Sequence, residues 1–374
     1  MVMDQSGLAP PVVDLRSPRP RPPAPREPVV PRAAAGPAGP AARAWPGVSV
    51  IMPVLNEEKH LADAVTWVLA QGYEGEWELI LALGPSTDRT DDIARSLAAG
   101  DDRIRLVVNP GGRTPAGLNF ALRVASYDVV VRVDGHGLLS PDYIRRAVLT
   151  LQRTGAANVG GLMVAVGETP FEDAVAFAYG SRAGLGGGAF HVGAPEGPAE
   201  SVYLGVFRRE VLNRLGGFDE HYQRAQDWEL NLRIRRSGEV VWFDPELAVT
   251  YRPRSTLGAL VRQFSGTGRW RREVVRRYPG TASVRYLAPP AAVLVVVVGL
   301  LASLSPVLGA PLWLLAGAAA PVSYAMALVA ITVLRAGYLS APARLWLPVV
   351  LATIHASWGV GFLLGAPRRA DRRG

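Results

Sequence analysis

Asp134 and His136 are the first residues of this chain whose types and spacing suggest chemistry. They lie in the segment Asp134-Gly-His-Gly137, directly after the apolar run Val129–Val133, which predicts a buried strand. Because ligands bind beyond the carboxyl ends of strands in open α/β sheets, an aspartate and a histidine at this place can hold a hard cation. The glycines would let a bulky polyphosphate come close. A tight turn capped by the aspartate is the alternative interpretation.

Strands and helices alternate on both sides of this segment. Short apolar runs predict further strands at Val48–Pro53, Trp77–Leu83, Ile104–Val108, Asn158–Val166, Ser201–Phe207 and Val240–Phe243. Ser86 or Thr87 is expected to cap a helix that begins near Asp88. Pro115 suits the first position of the next helix. The alternation over the first four strands predicts a parallel sheet covered by helices on both faces.

Two later stretches could complete a site at the strand ends. The segment Asp227–Arg236 predicts a helix that begins with a carboxylate. The helix dipole favours a functional carboxylate at this position. The alternative is that Asp227 is only the N-cap of the helix. Gly184–Gly193 is rich in glycine and has no hydrophobic period, which predicts a mobile loop over the site.

Charge and composition narrow the partners. The chain has 374 residues, a formal net charge of +8 and no cysteine. The charge suits nucleic acid, an anionic membrane surface or phosphorylated substrates. The absence of cysteine excludes disulfides, thiolate metal sites and cysteine nucleophiles. Because the arginines cluster in the N-terminal tail and beside apolar C-terminal stretches, we expect membrane lipids as partners and no nucleic acid.

The two segments that flank the α/β region differ from it in composition. Residues 1–46 are rich in Pro, Ala, Arg and Gly, which predicts a disordered tail. This tail lacks the apolar core of a signal peptide, so we expect the domain at 47–253 on the cytoplasmic side. Residues 254–285 are basic and amphipathic, which predicts a helix along the membrane surface. A surface helix packed on the domain is the alternative. The residues expected near its apolar face are Leu257, Leu260, Val261, Phe264 and Val275.

Residues 286–366 predict a multi-pass anchor in the cell (inner) membrane. The apolar stretches Leu287–Ser305, Val307–Leu334 and Leu345–Leu364 are each near the ~20 residues that a membrane-spanning helix needs. About three transmembrane helices are therefore predicted. Three spans from a cytoplasmic domain would place the basic tail at 367–374 outside, which conflicts with the tendency of arginines to stay inside.

From Val48 to about Tyr251, the chain resembles the family 2 glycosyltransferases, which have the nucleotide-sugar-binding GT-A fold. The resemblance rests on ordered motifs, namely Val48–Glu58, Ser86–Thr90, Gly117-Leu-Asn119, Asp134-Gly-His136, Gly216–Asp219 and Gln226–Arg233. With its Asp-X-His motif, Asn158-Val-Gly-Gly161 and C-terminal apolar stretches, the chain is most similar to succinoglycan-type exopolysaccharide transferases.

The resemblance implies an α/β GT-A (Rossmann-like) domain followed by transmembrane helices. It implies inverting transfer of a sugar from a nucleotide-sugar donor to a lipid-linked or polysaccharide acceptor, with Asp227 as catalytic base. It also implies a divalent metal, Mn²⁺ or Mg²⁺, on Asp134 and His136, and the imidazole favours Mn²⁺. The implied donor-binding residues are Pro53, Asn56, Glu57, Asp88, Arg113, Asn119 and Asp134. The implied acceptor-side residues are Gly161, Gln226 and Trp228.

The chain departs from the family pattern in two places. Leu83 and Gly84 stand where an acidic residue usually contacts the nucleoside, which puts a preference for uridine in doubt. Gln226 stands where the family has a glutamate. Two other functions stay open. A polyprenyl-phosphate sugar synthase would need no strong base, and a catalytically silent membrane scaffold would keep only the fold. The retained Asp134 and Asp227 argue against the scaffold.

Overall fold

The computed structural model describes residues 45–366. The predicted disordered tail at 1–46 and the basic tail at 367–374 lie outside this range, except for residues 45 and 46. Within it, the strands are Val48–Val54 (β1), Trp77–Leu83 (β2), Ile104–Val108 (β3), Val129–Arg132 (β4), Leu138–Leu139 (β5), Asn158–Ala165 (β6), Gly197–Pro198 (β7), Tyr203–Arg208 (β8) and Val241–Tyr251 (β9).

The helices alternate with these strands and then continue alone to the end of the described range. Those before residue 240 are Leu61–Leu69 (α1), Thr90–Gly100 (α2), Thr114–Val124 (α3), Tyr143–Thr154 (α4), Pro170–Tyr179 (α5), Arg182–Leu185 (α6), Ala189–Val192 (α7), Arg209–Arg214 (α8) and Gln226–Arg236 (α9). Those after it are Leu257–Arg277 (α10), Val284–Leu304 (α11), Ala319–Arg335 (α12) and Ala341–Leu364 (α13). Short 3-10 turns lie at Pro279–Thr281, Ser305–Leu308 and Leu312–Ala318.

One mixed sheet organises the α/β region, with strand order β3-β2-β1-β4-β8-β6-β9-β5 and β7 beside β9. The first four strands pair in parallel, as the alternation predicts. The sheet then departs from a parallel arrangement, because β8 runs antiparallel to both β4 and β6. The carboxyl ends of β1 and β4 therefore lie side by side in the middle of the sheet, where a crevice can open.

Both faces of the central strands are buried. Val48, Val50 and Met52 of β1 pack in the cluster beneath α1 and α4. Ile51 points the other way and packs with Leu118 of α3, because successive side chains of a strand alternate between faces. Each such apolar side chain contributes about 1.5–3 kcal/mol when it is fully buried. Polar chemistry is thereby confined to the strand ends.

The predicted cap of α2 is wrong. Neither Ser86 nor Thr87 caps this helix, which begins at Thr90. The carboxylate of Asp88 instead accepts a hydrogen bond of 3.0 Å from the Thr90 amide. The Ser86 hydroxyl accepts one of 3.1 Å from the Asn56 amide. The Ser86 contact joins the loop after β1 to the loop after β2, so this candidate capping residue serves a longer-range contact instead.

β9 is an 11-residue strand, much longer than the predicted Val240–Phe243. Its pairing with β6 shifts register between Gly160 and Leu162. A Cβ atom on Gly161 would collide with the carbonyl oxygens of Asp244 and Leu247. Glycine at this position therefore lets the two strands come together around the shift, a requirement that the periodicity of β9 alone does not reveal.

α10 is the predicted amphipathic helix, but its buried face differs from the predicted one. Leu260 and Phe264 are buried as expected, whereas Leu257 and Val261 are exposed. An arginine, Arg271, is buried on the same face. The helix packs on the α/β region and on α13, which agrees with the alternative of a helix docked on the domain.

Three apolar segments follow, at Val284–Leu308, Leu312–Arg335 and Ala341–Leu364. All three are long and apolar enough to cross a membrane, by length and composition. The first two are mostly exposed, with Leu328 as the buried residue of α12. α13 differs, because it buries a continuous face that comprises Ala343, Leu347, Val350, Leu351, Ile354, Ser357, Trp358, Gly359 and Gly361.

Candidate active site

A cavity of about 700 Å³ opens at the carboxyl ends of β1 and β4. The α/β region supplies its floor, and α9 supplies Gln226, Asp227 and Trp228. Its far wall comes from the C-terminal helices, with Arg271 of α10 and Tyr286 of α11 among the lining residues. The cavity thus joins the strand ends to the apolar part of the chain.

Arg132 connects the two carboxylates that the sequence placed in separate motifs. Its Nη2 donates to Oδ1 of Asp134 at 2.9 Å, and its Nη1 contacts Oδ1 of Asp227. The Arg132 side chain is only 4% exposed, so two anionic partners offset the cost of burying its charge. Burial alone raises the pKa of Asp134, but Arg132 and then His136 outweigh it and lower the pKa below its usual range. The carboxylate is therefore held ionised.

His136 is oriented by Glu57, which lies on the loop after β1. Nδ1 of His136 lies 2.8 Å from Oε1 of Glu57. A carboxylate can only accept, so Nδ1 carries the hydrogen and Nε2 keeps a lone pair for a ligand. Burial lowers the pKa of His136, yet the bond to Glu57 and the charge of Asp134 raise it overall. The backbone of Glu57 is itself held in place, because its amide donates a hydrogen bond of 2.7 Å to the hydroxyl of Thr90.

Asp134 and His136 offer one carboxylate oxygen and one imidazole nitrogen at the cavity. Among residues 45–366, no group of three or more His, Cys, Asp or Glu side chains is placed to hold a metal ion. A pair of protein donors fits a divalent cation whose remaining positions are filled by ligand oxygens and water, as in phosphate-bridged metal sites. The tautomer that Glu57 imposes on His136 supports such a fit.

Asn56 and Asp88 were predicted to bind a donor but do not line the cavity. Asn56 adopts a positive φ of 55°, and its Oδ1 accepts the Thr87 amide at 2.8 Å. Asp88 is engaged with the hydroxyl of Thr90, and this bond lowers the pKa of the Asp88 carboxyl. Both side chains hold together the loops after β1 and β2. Glu57, in the first of these loops, and Pro53, near the end of β1, do line the cavity.

Arg113 and Asn119 occupy different places on α3 and the turn before it. Arg113 lines the cavity, where its Nη1 donates to the Glu220 carbonyl at 3.1 Å. Asn119 does not line it, because its amide nitrogen donates to the Phe218 carbonyl at 2.8 Å and its oxygen accepts the Phe218 amide at 2.9 Å. Asn119 thus secures the turn before α9, and the predicted contact with a donor is not supported by this geometry.

Of the predicted acceptor-side residues, two line the cavity and one does not. Gln226 and Trp228 line the cavity beside Asp227. Gly161 does not, because it lies at the register shift between β6 and β9. α9 begins at Gln226, and Ala225 holds the capping position in the left-handed conformation. The interpretation of Asp227 as a simple N-cap is therefore wrong, and its carboxylate is turned towards Arg132.

Gly184–Gly193 lies at the cavity but is not an aperiodic loop. It contains the end of α6 and the whole of α7, which contribute Leu185, Phe190 and His191 to the lining. Gly186 and Gly193 have positive φ values of 77° and 82° and end these short helices. The glycines serve as helix stops, which a search for hydrophobic periodicity does not register.

Several lining residues were not predicted from the sequence. Arg132 is the clearest, and its signal was a single charged residue inside a run of buried valines. Four further arginines, which lie after α8 in the chain, also line the cavity, namely Arg224, Arg254, Arg271 and Arg285. Three of these, Arg254, Arg271 and Arg285, belong to the basic segment at 254–285 that was assigned to lipid headgroups as a whole, so the members that line the cavity could not be separated from the rest by pattern.

Known proteins resemble this chain in sequence and in fold. The model of the Glycosyl transferase family 2 domain matches residues 49–216. Succinoglycan biosynthesis protein ExoA of Rhizobium meliloti (strain 1021) is 32% identical over 242 residues, which cover 64% of this chain and 73% of ExoA.

A second relative comes from an archaeon, Methanococcus voltae. It is a dolichyl N-acetyl-alpha-D-glucosaminyl phosphate 3-beta-D-2,3-diacetamido-2,3-dideoxy-beta-D-glucuronosyltransferase, 24% identical over 252 residues, which cover 65% of this chain and 77% of that protein. Among solved structures, the mannosyltransferase PcManGT from Pyrobaculum calidifontis, in complex with GDP-Man and Mn²⁺, superposes with a TM-score of 0.54. That likeness covers 85% of this chain and 87% of the other at 22% identity, and it supports a GT-A-like fold. Together with the ordered motifs, the match to ExoA shows that this chain belongs to glycosyl transferase family 2 and is a glycosyltransferase.

Proposed function

We propose that this protein is a membrane-anchored, inverting glycosyltransferase of cell-envelope or exopolysaccharide synthesis. It moves a sugar from a nucleotide-sugar donor to a lipid-linked or polysaccharide acceptor. The observation that carries the proposal is the bridge of Arg132 between Asp134 and Asp227 in one cavity. A donor-side carboxylate and an acceptor-side carboxylate are thereby held in fixed relation, as direct displacement between two substrates requires. The similarity to a succinoglycan biosynthesis protein supports the polysaccharide role.

The donor side is assigned to Asp134, His136 and Glu57. Asp134 and His136 would hold a divalent metal, and the imidazole favours Mn²⁺ over Mg²⁺, which prefers oxygen ligands. When bound, the metal would neutralise the diphosphate leaving group as a Lewis acid. Glu57 keeps the His136 ring in the required tautomer. Pro53 and Arg113 line the same end of the cavity and complete the surface for the donor.

The acceptor side is assigned to Asp227, with Gln226 and Trp228 beside it. Asp227 takes the proton from the acceptor hydroxyl as that oxygen attacks the anomeric carbon. Arg132 positions this carboxylate by contacting Oδ1. A single direct attack inverts the anomeric centre, so an α-linked donor gives a β-linked product. Trp228 is buried and offers an aromatic surface next to the base.

The apolar C-terminal helices anchor the enzyme in the cell (inner) membrane, with the catalytic domain on the cytoplasmic side. Their length and composition support the anchor. The cavity wall formed by α10 and α11 supports a place for the reaction at the membrane surface, where a lipid-linked acceptor is found.

A donor screen tests the function as a whole. Full-length protein in native membranes is given a panel of nucleotide sugars, and nucleoside diphosphate release is measured with and without Mn²⁺. The proposal expects release that depends on the metal with one donor and is lost in Asp134→Ala. No metal-dependent release with any donor would instead support a catalytically silent scaffold. Full activity of Asp227→Asn on polyprenyl phosphate would support a polyprenyl-phosphate sugar synthase.

A further inference from the structure

Four arginines other than Arg113 and Arg132 line the cavity. They are Arg224, Arg254, Arg271 and Arg285. Within residues 45–366, none of the four forms an ion pair with a carboxylate. By contrast, Arg132 at the strand ends contacts two carboxylates. The cavity therefore carries positive charge that the protein itself does not neutralise with an ion pair.

Arg271 is the most enclosed member of this group. The residue is only 9% exposed, and its Nε and Nη1 are buried without a hydrogen-bond partner. Its guanidinium lies 4.9 Å from the ring centroid of Trp228 and 4.1 Å from that of Tyr286. Burial lowers the pKa of Arg271, which shows how costly its charge is in this place. A buried guanidinium with free donors is a site for an anion, because an unpaired buried charge costs several kcal/mol.

The position of Arg271 indicates which substrate supplies that anion. Trp228, whose ring lies 4.9 Å from the guanidinium, directly follows Asp227 in α9. Tyr286, whose ring lies 4.1 Å away, belongs to the first turn of α11, the first of the apolar helices. An anion bound by this guanidinium lies close both to the helix that carries the proposed base and to the helices that enter the membrane. The metal pair Asp134 and His136 instead belongs to the strand-end part of the cavity.

We propose that Arg271, with Arg224 and Arg285, binds the phosphate or diphosphate of a polyprenyl-linked acceptor. The lipid chain leaves the cavity along the apolar helices, and the acceptor sugar reaches Asp227. This inference rests on the proposed function and selects the lipid-linked acceptor over a free polysaccharide. Arg271 can donate two hydrogen bonds to a phosphate in a fixed geometry, which a flexible surface lysine cannot do.

Binding of small probes to purified full-length protein in detergent tests this site. Thermal unfolding is measured with farnesyl diphosphate, with inorganic pyrophosphate, and separately with a nucleoside diphosphate plus Mn²⁺. Farnesyl diphosphate is expected to stabilise the wild type by ligand linkage, and more strongly than pyrophosphate. Arg271→Gln should weaken its affinity about 10- to 100-fold, since a charged hydrogen-bonding partner is lost. Arg271→Lys should recover part of that affinity.

Arg235→Gln is the matched control, because Arg235 also has a buried Nε without a partner but does not line the cavity. It should leave farnesyl diphosphate binding unchanged. Equal affinity in Arg271→Gln and wild type, or equal affinity for pyrophosphate and farnesyl diphosphate, would overturn the lipid-phosphate site. Loss of the nucleoside diphosphate response in Arg271→Gln would assign the arginine to the donor instead. Failure of the proposed function has a separate signature, namely lipid diphosphate binding without sugar transfer.

A second, independent observation concerns α13, which contacts the catalytic domain at two points and the basic helix α10 at a third. Near its start, the ring of Trp346 is 5.3 Å from that of Phe171 in α5. In its middle, Nε2 of His355 lies 2.7 Å from the Ala183 carbonyl in α6. Near its end, Leu363 accepts a hydrogen bond from Arg272 of the basic helix α10.

These contacts are incompatible with a helix that crosses the bilayer. The 24 residues of α13 span about 36 Å, which is longer than the ~30 Å hydrocarbon core, so a spanning helix would separate its ends across the membrane. The start of α13 contacts α5 of the water-facing domain, and its end contacts α10, which packs on that same domain. We infer that α13 lies at the cytoplasmic membrane surface and that α11 and α12 alone form a spanning hairpin. The basic tail at 367–374 then returns to the cytoplasmic side, in agreement with the positive-inside tendency.

Single introduced cysteines test this topology. No native cysteine has to be removed first, because the chain has none. Leu308→Cys, Gly337→Cys and Gly374→Cys are each treated with a membrane-impermeant maleimide in intact spheroplasts and again after permeabilisation. Leu308→Cys should react in intact spheroplasts, and the other two only after permeabilisation. Labelling of Gly374→Cys from outside would restore three spans, and protection of Leu308→Cys would contradict the hairpin.

Discussion

The guanidinium of Arg132, at the end of a strand of valines, contacts the carboxylate of Asp227 on a helix 95 positions later in the chain. The same guanidinium holds Asp134 at 2.9 Å. An arginine can hold both carboxylates because its donors form a planar fork, whereas a lysine presents a single ammonium group. The relation between the proposed donor and acceptor sides therefore depends on the shape of this one side chain.

Arg132→Lys should keep the positive charge but lose the planar fork of donors that contacts both carboxylates. We expect kcat to fall about 100-fold, since a displacement of about 1 Å in a catalytic group has an effect of that size. The midpoint of thermal unfolding should change little. Arg105→Lys is the control, because Arg105 pairs with Glu78 at 2.8 Å outside the cavity. Equal kcat values for the two variants would remove Arg132 from the mechanism.

Asp227→Asn should abolish sugar transfer while donor binding survives. Loss of a general base lowers the rate by about 10²–10⁴-fold, and the amide of asparagine cannot accept the proton. Product formation and nucleoside diphosphate binding are measured on the same preparation. Asp128→Asn serves as the control, since the Asp128 side chain is 92% exposed and pairs with Arg209. Near-wild-type transfer by Asp227→Asn would show that another group acts as base.

Glu57→Gln should weaken metal binding without removing a metal ligand. A glutamine can no longer impose the tautomer of His136, and partners of this kind typically alter metal affinity 10- to 100-fold. Titration of Mn²⁺ against nucleoside diphosphate binding reports the change, and chelation of the metal should abolish binding in the wild type. Glu58→Gln is a neighbouring control, because its Oε2 accepts the Arg89 amide at 2.9 Å. Identical Mn²⁺ titrations for both variants would argue against His136 as a ligand.

Gly161→Ala should affect stability rather than acceptor recognition. Its Cβ atom would meet the Leu247 carbonyl, so β6 and β9 would have to move apart. Overpacking of this kind costs about 1–3 kcal/mol or more where backbone must shift. Thermal unfolding and the acceptor KM are measured together, with Gly100→Ala as the control because nothing lies within 4 Å of a Cβ there. A raised acceptor KM with unchanged stability would return Gly161 to the acceptor side.

His191 should make the protein less stable in mild acid. Burial, and then the charge of Arg285, lower the pKa of His191 to about 3. The unfolded chain binds a proton near its usual pKa of 6.5, whereas the folded chain does not, so stability is lost as pH falls below about 6.5. Between pH 6.5 and 5 the loss is at most about 2 kcal/mol. His191→Gln should flatten this part of the unfolding profile, and an unchanged slope would contradict the burial.

The elements of the α/β region were largely predictable because their signals are local. The valine run of β4 and the motif that follows it lie within ten residues of each other, and the sheet places them as expected. The antiparallel insertion of β8 was not predictable in this way. Its direction depends on pairing with β4 and β6, which are distant in the chain, and no local preference encodes that choice.

The sequence motifs pointed to carboxylates that line the cavity, but among the lining arginines they pointed only to Arg113. Asp134, His136 and Asp227 belong to recognisable motifs, and each lines the cavity. Arg132 lies in a pattern that predicts a buried strand, where a single charge gives no functional signal, and Arg271 lies in a basic helix that was assigned to lipid headgroups as a whole. Asn119 and Asp88 show the opposite error, because their hydrogen bonds serve turns that only the folded chain contains.

The reaction cavity is walled on one side by Arg271, Tyr286 and Trp358, which all lie beyond the α/β region. A fragment that ends at residue 253 would keep the sheet and the metal pair but leave that side open to bulk water. Water could then compete with the acceptor for the sugar, and the fragment would act as a hydrolase of its donor. Exchange of catalytic domains between related enzymes should likewise fail to transfer acceptor choice, because α10, α11 and α13 also supply residues to the cavity.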